Sequence, residues 1–178
     1  NIVRNYRISY GLHASSGILF NHESPRRGET FVTRKITMSA ANIRTGNQKY
    51  IELGNLDSKR DWGHAQDYVK AMWLMLQQEN PDDYVIATGE THSVRDFLYE
   101  VWRVAGLGDV KKALKINSKY FRPQEVPYLL GDCTKAKNVL GWKPTYNFSK
   151  LAEDMYLADL NRVIKEKGWI EGVKNEII

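Results

Sequence analysis

The chain has 178 residues, of which 42% are hydrophobic, so it can form one globular domain or one lobe of a larger enzyme, and bulk disorder is excluded. Its 26 basic and 21 acidic residues leave a net charge of +5, an excess that suits an anionic ligand, whether a phosphorylated small molecule or a nucleic acid. The single cysteine excludes an intrachain disulfide and a cysteine-rich zinc site, and no secretory signal or apolar run of transmembrane length is visible, so we expect a soluble cytoplasmic protein.

The first part of the chain alternates helical and extended patterns. We expect it to begin near the end of a helix, which Gly11 stops, an unusual start for a complete protein. Apolar spacing and turn residues then predict the following elements in order: a strand over 17–20, a polar turn over 21–28, a helix over 32–44, a strand over 50–53 and a charged loop over 54–62.

The remainder continues the alternation. The predicted elements are a helix over 64–77 with one broad apolar face, a strand over 84–87, a helix from Ser93 to Gly106, a short strand over 114–116, and helices over 135–140 and 149–167. Ser93 is the predicted N-cap of its helix, with Asp96 in the first turn. Alternating strands and helices favour an α/β fold.

Four polar segments could carry chemistry: 21–27 (NHESPRR), 33–35 (TRK), 59–64 (KRDWGH) and 120–125 (YFRPQE). The first follows the carboxyl end of an apolar strand, where α/β sheets bind ligands, and its arginines offer forked donors for phosphate oxygens. Lys35 lies near a helix start, which favours an anion nearby. A solvated turn, or a surface ion pair between Arg60 and Asp61, remains an equally open interpretation of these segments.

Two apparent motifs do not indicate a site. Gly106 and Gly108 follow a helix and lack a third glycine, so they form no dinucleotide fingerprint. Tyr146 and Lys150 have the Tyr-x-x-x-Lys spacing, but Pro144 places the tyrosine in a turn before the helix rather than on it. The histidines and the cysteine show no metal-ligand spacing.

Seven segments carry a specific resemblance when they are taken in order: 17–28 (GILFNHESPRRG), 31–35 (FVTRK), 53–57 (LGNLD), 59–65 (KRDWGHA), 84–89 (YVIATG), 121–123 (FRP) and 132–137 (DCTKAK). Together they resemble the GDP-mannose 4,6-dehydratase family of extended short-chain dehydrogenases, over nearly the whole chain. The resemblance implies an α/β fold: the C-terminal part of such an enzyme, with terminal strands and helices of a Rossmann sheet and a small mixed α/β substrate-binding domain. Within one unit, it assigns 1–28 and 64–105 largely to the Rossmann half, and 29–63 and 106–178 largely to the substrate-binding domain.

The resemblance also implies an activity. Members of this family convert GDP-mannose to GDP-4-keto-6-deoxymannose, on the route to GDP-fucose, through a bound NADP that accepts a hydride and later returns it. The catalytic Tyr and Lys, with their Thr and Glu partners, and the glycine-rich cofactor loop are expected upstream, so no catalytic residue is expected in this chain. His22 and Arg27 match cofactor contacts. The positions that match the GDP-mannose pocket are Asn21, Val32, Lys35, Leu53, Gly54, Arg60, Arg122 and Glu125.

The partners implied are GDP-mannose, the N-terminal Rossmann half on the same or a separate chain, and further copies in a homo-oligomer, with no membrane and no nucleic acid. Two alternatives stay open, a non-catalytic module that binds GDP-sugars and, less favoured because its charges are interspersed, a basic nucleic-acid-binding domain. The functional hypothesis depends on four cations, Arg27, Lys35, Arg60 and Arg122, converging around one diphosphate.

Overall fold

A computed structural model describes residues 2–121 and 124–166. The helices are α1 (Ile2–Tyr10), α2 (Val32–Arg44), α3 (Ala65–Leu76), α4 (Val94–Val104), α5 (Val110–Ala113), α6 (Thr134–Leu140) and α7 (Phe148–Glu166). The strands are β1 (Ser16–Leu19), β2 (Asn21–Glu23), β3 (Ile51–Leu53), β4 (Lys59–Arg60), β5 (Trp62–His64), β6 (Asp83–Ile86), β7 (His92–Ser93) and β8 (Leu114–Ile116).

The strands join in pairs that are distant in sequence. The pairs β1–β6, β2–β5 and β3–β8 are parallel, and β4–β7 is antiparallel. A parallel pair needs a crossover connection, and here helices lie between the paired strands in sequence. The predicted α/β fold is therefore confirmed.

Two apolar cores hold these elements together. The larger core packs α2, α4 and α7 around buried side chains such as Ile36, Phe97 and Met155. The smaller core packs α3 and α6 against β6, around Trp142. The division of the chain between a Rossmann half and a substrate-binding domain stays a prediction, and the packing joins α4 to α2 and α7.

Helix α4 forms where local sequence chemistry predicts it. The Ser93 hydroxyl accepts a hydrogen bond from the amide of Asp96 at 3.0 Å, and the Asp96 carboxylate accepts one from the amide of Ser93 at 2.8 Å. This reciprocal capping satisfies two amides that the first turn leaves without helical partners.

Two segments expected to be turn or loop are strands instead. Residues 21–23 form β2 and residues 59–64 contribute β4 and β5, with Asn21 of β2 opposite Trp62 of β5. Strands of two or three residues are too short to show the alternation that reveals a strand in sequence. The polar turn therefore begins at Ser24, later than predicted.

The apolar face of α3 points outward. Helix α3 buries Tyr68, Ala71 and Met75 on one face. The broad apolar face predicted from the sequence, which includes Trp73, is a different face and is exposed, with 59% of Trp73 accessible. The sequence pattern identifies this face but does not tell whether the same chain covers it.

Candidate functional site

A cavity of about 720 Å³ opens between β2, the start of α2, β3, β4 and the segment around Tyr120. Most of the positions proposed from the sequence line it. They are Asn21, Arg27, Val32, Lys35, Leu53, Gly54, Arg60 and Glu125. Residues drawn from five separate stretches of the chain therefore meet at one cavity, and they include three of the four cations of the diphosphate hypothesis, Arg27, Lys35 and Arg60.

One predicted position among the described residues, His22, stands apart from this lining. His22 lies between Asn21 and Glu23 on β2, and alternate residues of a strand point to opposite faces. Its ring packs against that of Tyr68 at 5.4 Å, and its Nδ1 lies 2.8 Å from the carbonyl oxygen of Phe20. Arg122 lies outside the described residues.

Each predicted cation among the described residues has a supporting contact. The guanidinium of Arg27 lies 3.7 Å from the ring centroid of Phe31, and the ammonium of Lys35 lies 3.5 Å from that of Tyr120. The guanidinium of Arg60 forms an ion pair with Glu125. Aromatic faces attract cations, so these contacts hold positive charge at the cavity wall.

Asp61 does not pair with Arg60, its neighbour in sequence. Its buried carboxylate accepts hydrogen bonds from the amide and hydroxyl of Thr88 at 2.8 and 2.7 Å, from the amide of Gly89 at 3.0 Å and from that of Gly131 at 3.2 Å. Asp61 thus ties together the loops behind the cavity. The guanidinium of Arg60 faces the cavity, beside Glu125.

Glu23 is a cavity residue that sequence reasoning missed. Its carboxylate is buried, accepts a hydrogen bond from the hydroxyl of Thr33 and lies 3.2 Å from Nε of Arg27. Burial raises the pKa of the Glu23 carboxyl, while Thr33, Arg27 and His22 act in the opposite direction. Alternation with Asn21 would have revealed it, had β2 been recognised as a strand.

The first turn of α2 also faces the cavity through Phe31, Val32 and Thr33. Phe31 is the N-cap residue, and its side chain makes no capping hydrogen bond. The first amides of a helix have no intrahelical acceptor and carry partial positive charge. An anion in the cavity would be stabilised by this helix end.

Gly54 allows a close approach of two segments. A Cβ atom at this position would lie 2.5 Å from the carbonyl oxygen of Tyr120, closer than side chains tolerate. Glycine therefore lets the segment that carries Tyr120 pack directly on the end of β3 and complete the cavity wall.

A second cavity of about 260 Å³ is bounded by Trp62, which also lines the first. His92 and Phe148 stack there with ring centroids 3.8 Å apart.

Within residues 2–121 and 124–166, acidic, histidine and cysteine side chains form no group of three or more that could hold a metal ion. Over the same residues, no helix has both the length and the apolar character of a bilayer-spanning segment.

Comparison with known proteins identifies the family of this chain. The sequence model of the family described as GDP-mannose 4,6 dehydratase matches residues 1–155. The GDP-mannose 4,6 dehydratase of Drosophila melanogaster is 54% identical over 180 residues, covering 92% of this chain and 46% of that protein. The enzyme of that name from Homo sapiens is 52% identical over 175 residues, covering 89% and 47%. The chain therefore spans about half the length of the curated relatives it matches.

Solved structures show the same fold at lower identity. RMD from Pseudomonas aeruginosa, complexed with NADPH, superposes with a TM-score of 0.82 at 20% identity, over 90% of this chain and 53% of that one. The dTDP-glucose 4,6-dehydratase of Bacillus anthracis, in complex with NAD, superposes with a TM-score of 0.76 at 19% identity, over 97% and 51%. Because the family model matches most of the chain and its relatives are about 50% identical in sequence, the chain belongs to the GDP-mannose 4,6-dehydratase family.

Proposed function

We propose that this chain is the substrate-holding portion of a GDP-mannose 4,6-dehydratase, which converts GDP-mannose to GDP-4-keto-6-deoxymannose. The observation that carries the proposal is the convergence of Arg27, Lys35 and Arg60 on one cavity of about 720 Å³. Ligand pockets of about 300–1,000 Å³ hold molecules of nucleotide-sugar size.

The cavity is electrostatically suited to a diphosphate. Arg60 and Lys35 bring two positive charges, and the uncapped start of α2 adds partial positive charge. Arg60 can direct its forked donors at phosphate oxygens, and the Glu125 carboxylate beside it can accept hydrogen bonds from sugar hydroxyls. These groups bind and orient the substrate.

Strand β2 and the loop that follows it offer two contacts for a second ligand, His22 on the strand and Arg27 in the loop. Nε of Arg27 is buried and lacks a hydrogen-bond partner among the described residues, although it lies at ion-pair distance from Glu23. Of the whole Arg27 side chain, 22% stays exposed and the residue lines the cavity, so we propose that its guanidinium contacts an anionic ligand such as NADP there. His22 is the second proposed contact. NADP would supply hydride acceptance and return.

Proton transfer and hydride positioning are proposed to require residues outside this chain. The outward apolar face of α3, with Val69, Trp73 and Leu76 exposed, is the kind of surface that a partner covers. We propose that the Rossmann half supplies that cover together with the catalytic Tyr and Lys, and that this chain is inactive alone. A cytoplasmic homo-oligomer is part of the same proposal.

Calorimetry with GDP-mannose tests the proposal. The chain, shown to be folded by circular dichroism, is titrated with GDP-mannose, GDP and mannose, alone and after mixing with a separately produced N-terminal half. We expect binding of GDP-mannose to strengthen in the mixture and 4-keto product to appear only there, with NADP present. A folded chain that gives no heat at millimolar GDP-mannose in either state would refute the proposal. Binding without product in the mixture would instead indicate a GDP-sugar-binding module.

A further inference from the structure

Arg34 lies next to the cavity residues in sequence but points away from them. Its guanidinium is buried, with 4% of the side chain exposed, between α2 and α7. Nε of Arg34 donates to both carboxylate oxygens of Asp159, at 2.8 and 2.9 Å. The hydroxyl of Thr37 donates to the same carboxylate at 2.6 Å. Arg34 is thus anchored on the side away from the cavity.

The other end of this guanidinium holds a loop backbone. Nη1 of Arg34 donates to the carbonyl oxygen of Pro25 and to that of Arg27, the latter at 2.9 Å. Within the loop, the amide of Arg27 donates to the carbonyl oxygen of Ser24 at 2.9 Å, which closes a turn. A single side chain therefore fixes the backbone on both sides of Arg26.

A buried ion pair is a poor way to join two helices. Removing both charges from water costs free energy that mutual attraction often does not recover, and apolar residues of similar volume frequently pack as well. Apolar residues here would leave the carbonyl oxygens of Pro25 and Arg27 without this donor. An apolar residue in place of Arg34 could pack between the helices but could not donate hydrogen bonds to the loop backbone.

The side chain of Arg27 is held from the opposite direction. Its guanidinium lies against Glu23, which is fixed by Thr33, and over the ring of Phe31. Its backbone is held by Arg34. Arg27 is therefore located by two independent sets of contacts, one on its guanidinium and one on its carbonyl group.

We infer that Arg34, anchored by Asp159 and Thr37, is a positioning residue that holds Arg27 in its ligand-binding position. The inference rests on the proposed function, because it treats Arg27 as a ligand contact. Arg34 itself is not among the residues that line the cavity. Preorganised groups bind more tightly because ligand binding does not have to order them, so loosening the loop lowers affinity without removing a ligand contact.

A double-mutant cycle in the complete polypeptide that carries these residues tests the inference. Arg34→Lys keeps a charge for Asp159, but one ammonium cannot reach the carboxylate and both carbonyl oxygens. The dissociation constant for NADP is measured by calorimetry for Arg34→Lys, Arg27→Ala, the double variant and the unmodified protein. We expect Arg34→Lys to weaken NADP binding about tenfold, because part of the binding free energy would be spent on ordering the loosened loop. In the Arg27→Ala background the same change should have less than a twofold effect.

The matched control is Arg103→Lys, the same chemical change in an exposed ion pair with Glu100 on α4. It should leave NADP affinity unchanged. Hydrogen exchange of the amides of Arg26, Arg27 and Gly28 provides a second readout that needs no ligand, and it should speed up in Arg34→Lys and in Asp159→Asn but not in Arg103→Lys.

The outcomes separate the inference from the proposed function. Equal losses of NADP affinity with and without Arg27, or unchanged exchange in the loop, would overturn the positioning role while leaving the proposed function in place. If the unmodified protein binds neither NADP nor GDP-mannose, the proposed function fails and the positioning role fails with it, even if loop exchange responds.

Discussion

Replacing Arg60 by alanine should weaken substrate binding far more than it weakens the fold. Only 13% of the Arg60 side chain is exposed, so its contact with a diphosphate would be largely shielded from water. Loss of such a charged contact costs about 2 to 5 kcal/mol, which corresponds to roughly 30- to 4,000-fold in the dissociation constant. The ion pair with Glu125 is partly buried and its loss should cost about 1 to 2 kcal/mol of folding free energy, so the melting temperature should fall by about 8 °C at most.

Part of that loss comes from Glu125, which the Arg60→Ala variant leaves unpaired beside the diphosphate. The double variant Arg60→Ala/Glu125→Gln removes this repulsion and should recover several-fold in affinity. The control is Arg95→Ala, which breaks an exposed ion pair with Asp57 at 2.8 Å. Calorimetry with GDP-mannose and thermal melts by circular dichroism measure the two effects in the complete polypeptide. An Arg60→Ala affinity within twofold of the unmodified protein, or an equal loss in Arg95→Ala, would refute the reasoning.

Three further predictions concern the scaffold. Asp61→Ala should lower the free energy of unfolding by about 3 kcal/mol or more in urea titrations, because several buried donors lose their acceptor; a cost below 1 kcal/mol would show that water replaces the carboxylate. Gly54→Ala should displace the segment at Tyr120 and weaken GDP-mannose binding about tenfold or more, with unchanged affinity arguing that the segment moves without consequence. Hydrogen bonds from Arg103 and Ser149 lower the pKa of Glu100 from about 4.5 to about 2, so its small stabilising contribution is complete above pH 4.5 and is lost as pH falls toward 2. In thermal melts from pH 6 to pH 3, the difference in melting temperature between the unmodified protein and Glu100→Gln should therefore become smaller as pH falls. A difference that stays constant over this pH range would contradict the predicted sign.

The elements predicted best are those whose signals are local. Ser93 and Asp96 cap α4 as predicted, and the buried positions of this helix, Val94, Phe97, Leu98, Val101 and Trp102, follow directly from its apolar spacing. Capping and amphipathic periodicity involve residues within one or two turns, so one sequence suffices to reveal them.

What the sequence left open depends on pairing over long distances. Strands β2 and β5 exist because Asn21 meets Trp62, some forty residues away, and three-residue strands carry no periodic signal of their own. Glu125 was predicted as a cavity residue, but its pairing with Arg60 could not be, since nothing in the sequence links the two. The cavity positions came from family resemblance, and the structure adds their contacts with one another.

The two-sidedness of β2 has a consequence for how this region can vary. Asn21 and Glu23 face the cavity while His22 faces Tyr68, so consecutive residues point to opposite sides of the strand. A point substitution alters the contacts on one side and leaves those on the other side unchanged. Gain or loss of a single residue in this strand would exchange the two sets of side chains at once, because side-chain direction reverses at every step. Length in this strand should therefore be far less variable than amino-acid identity.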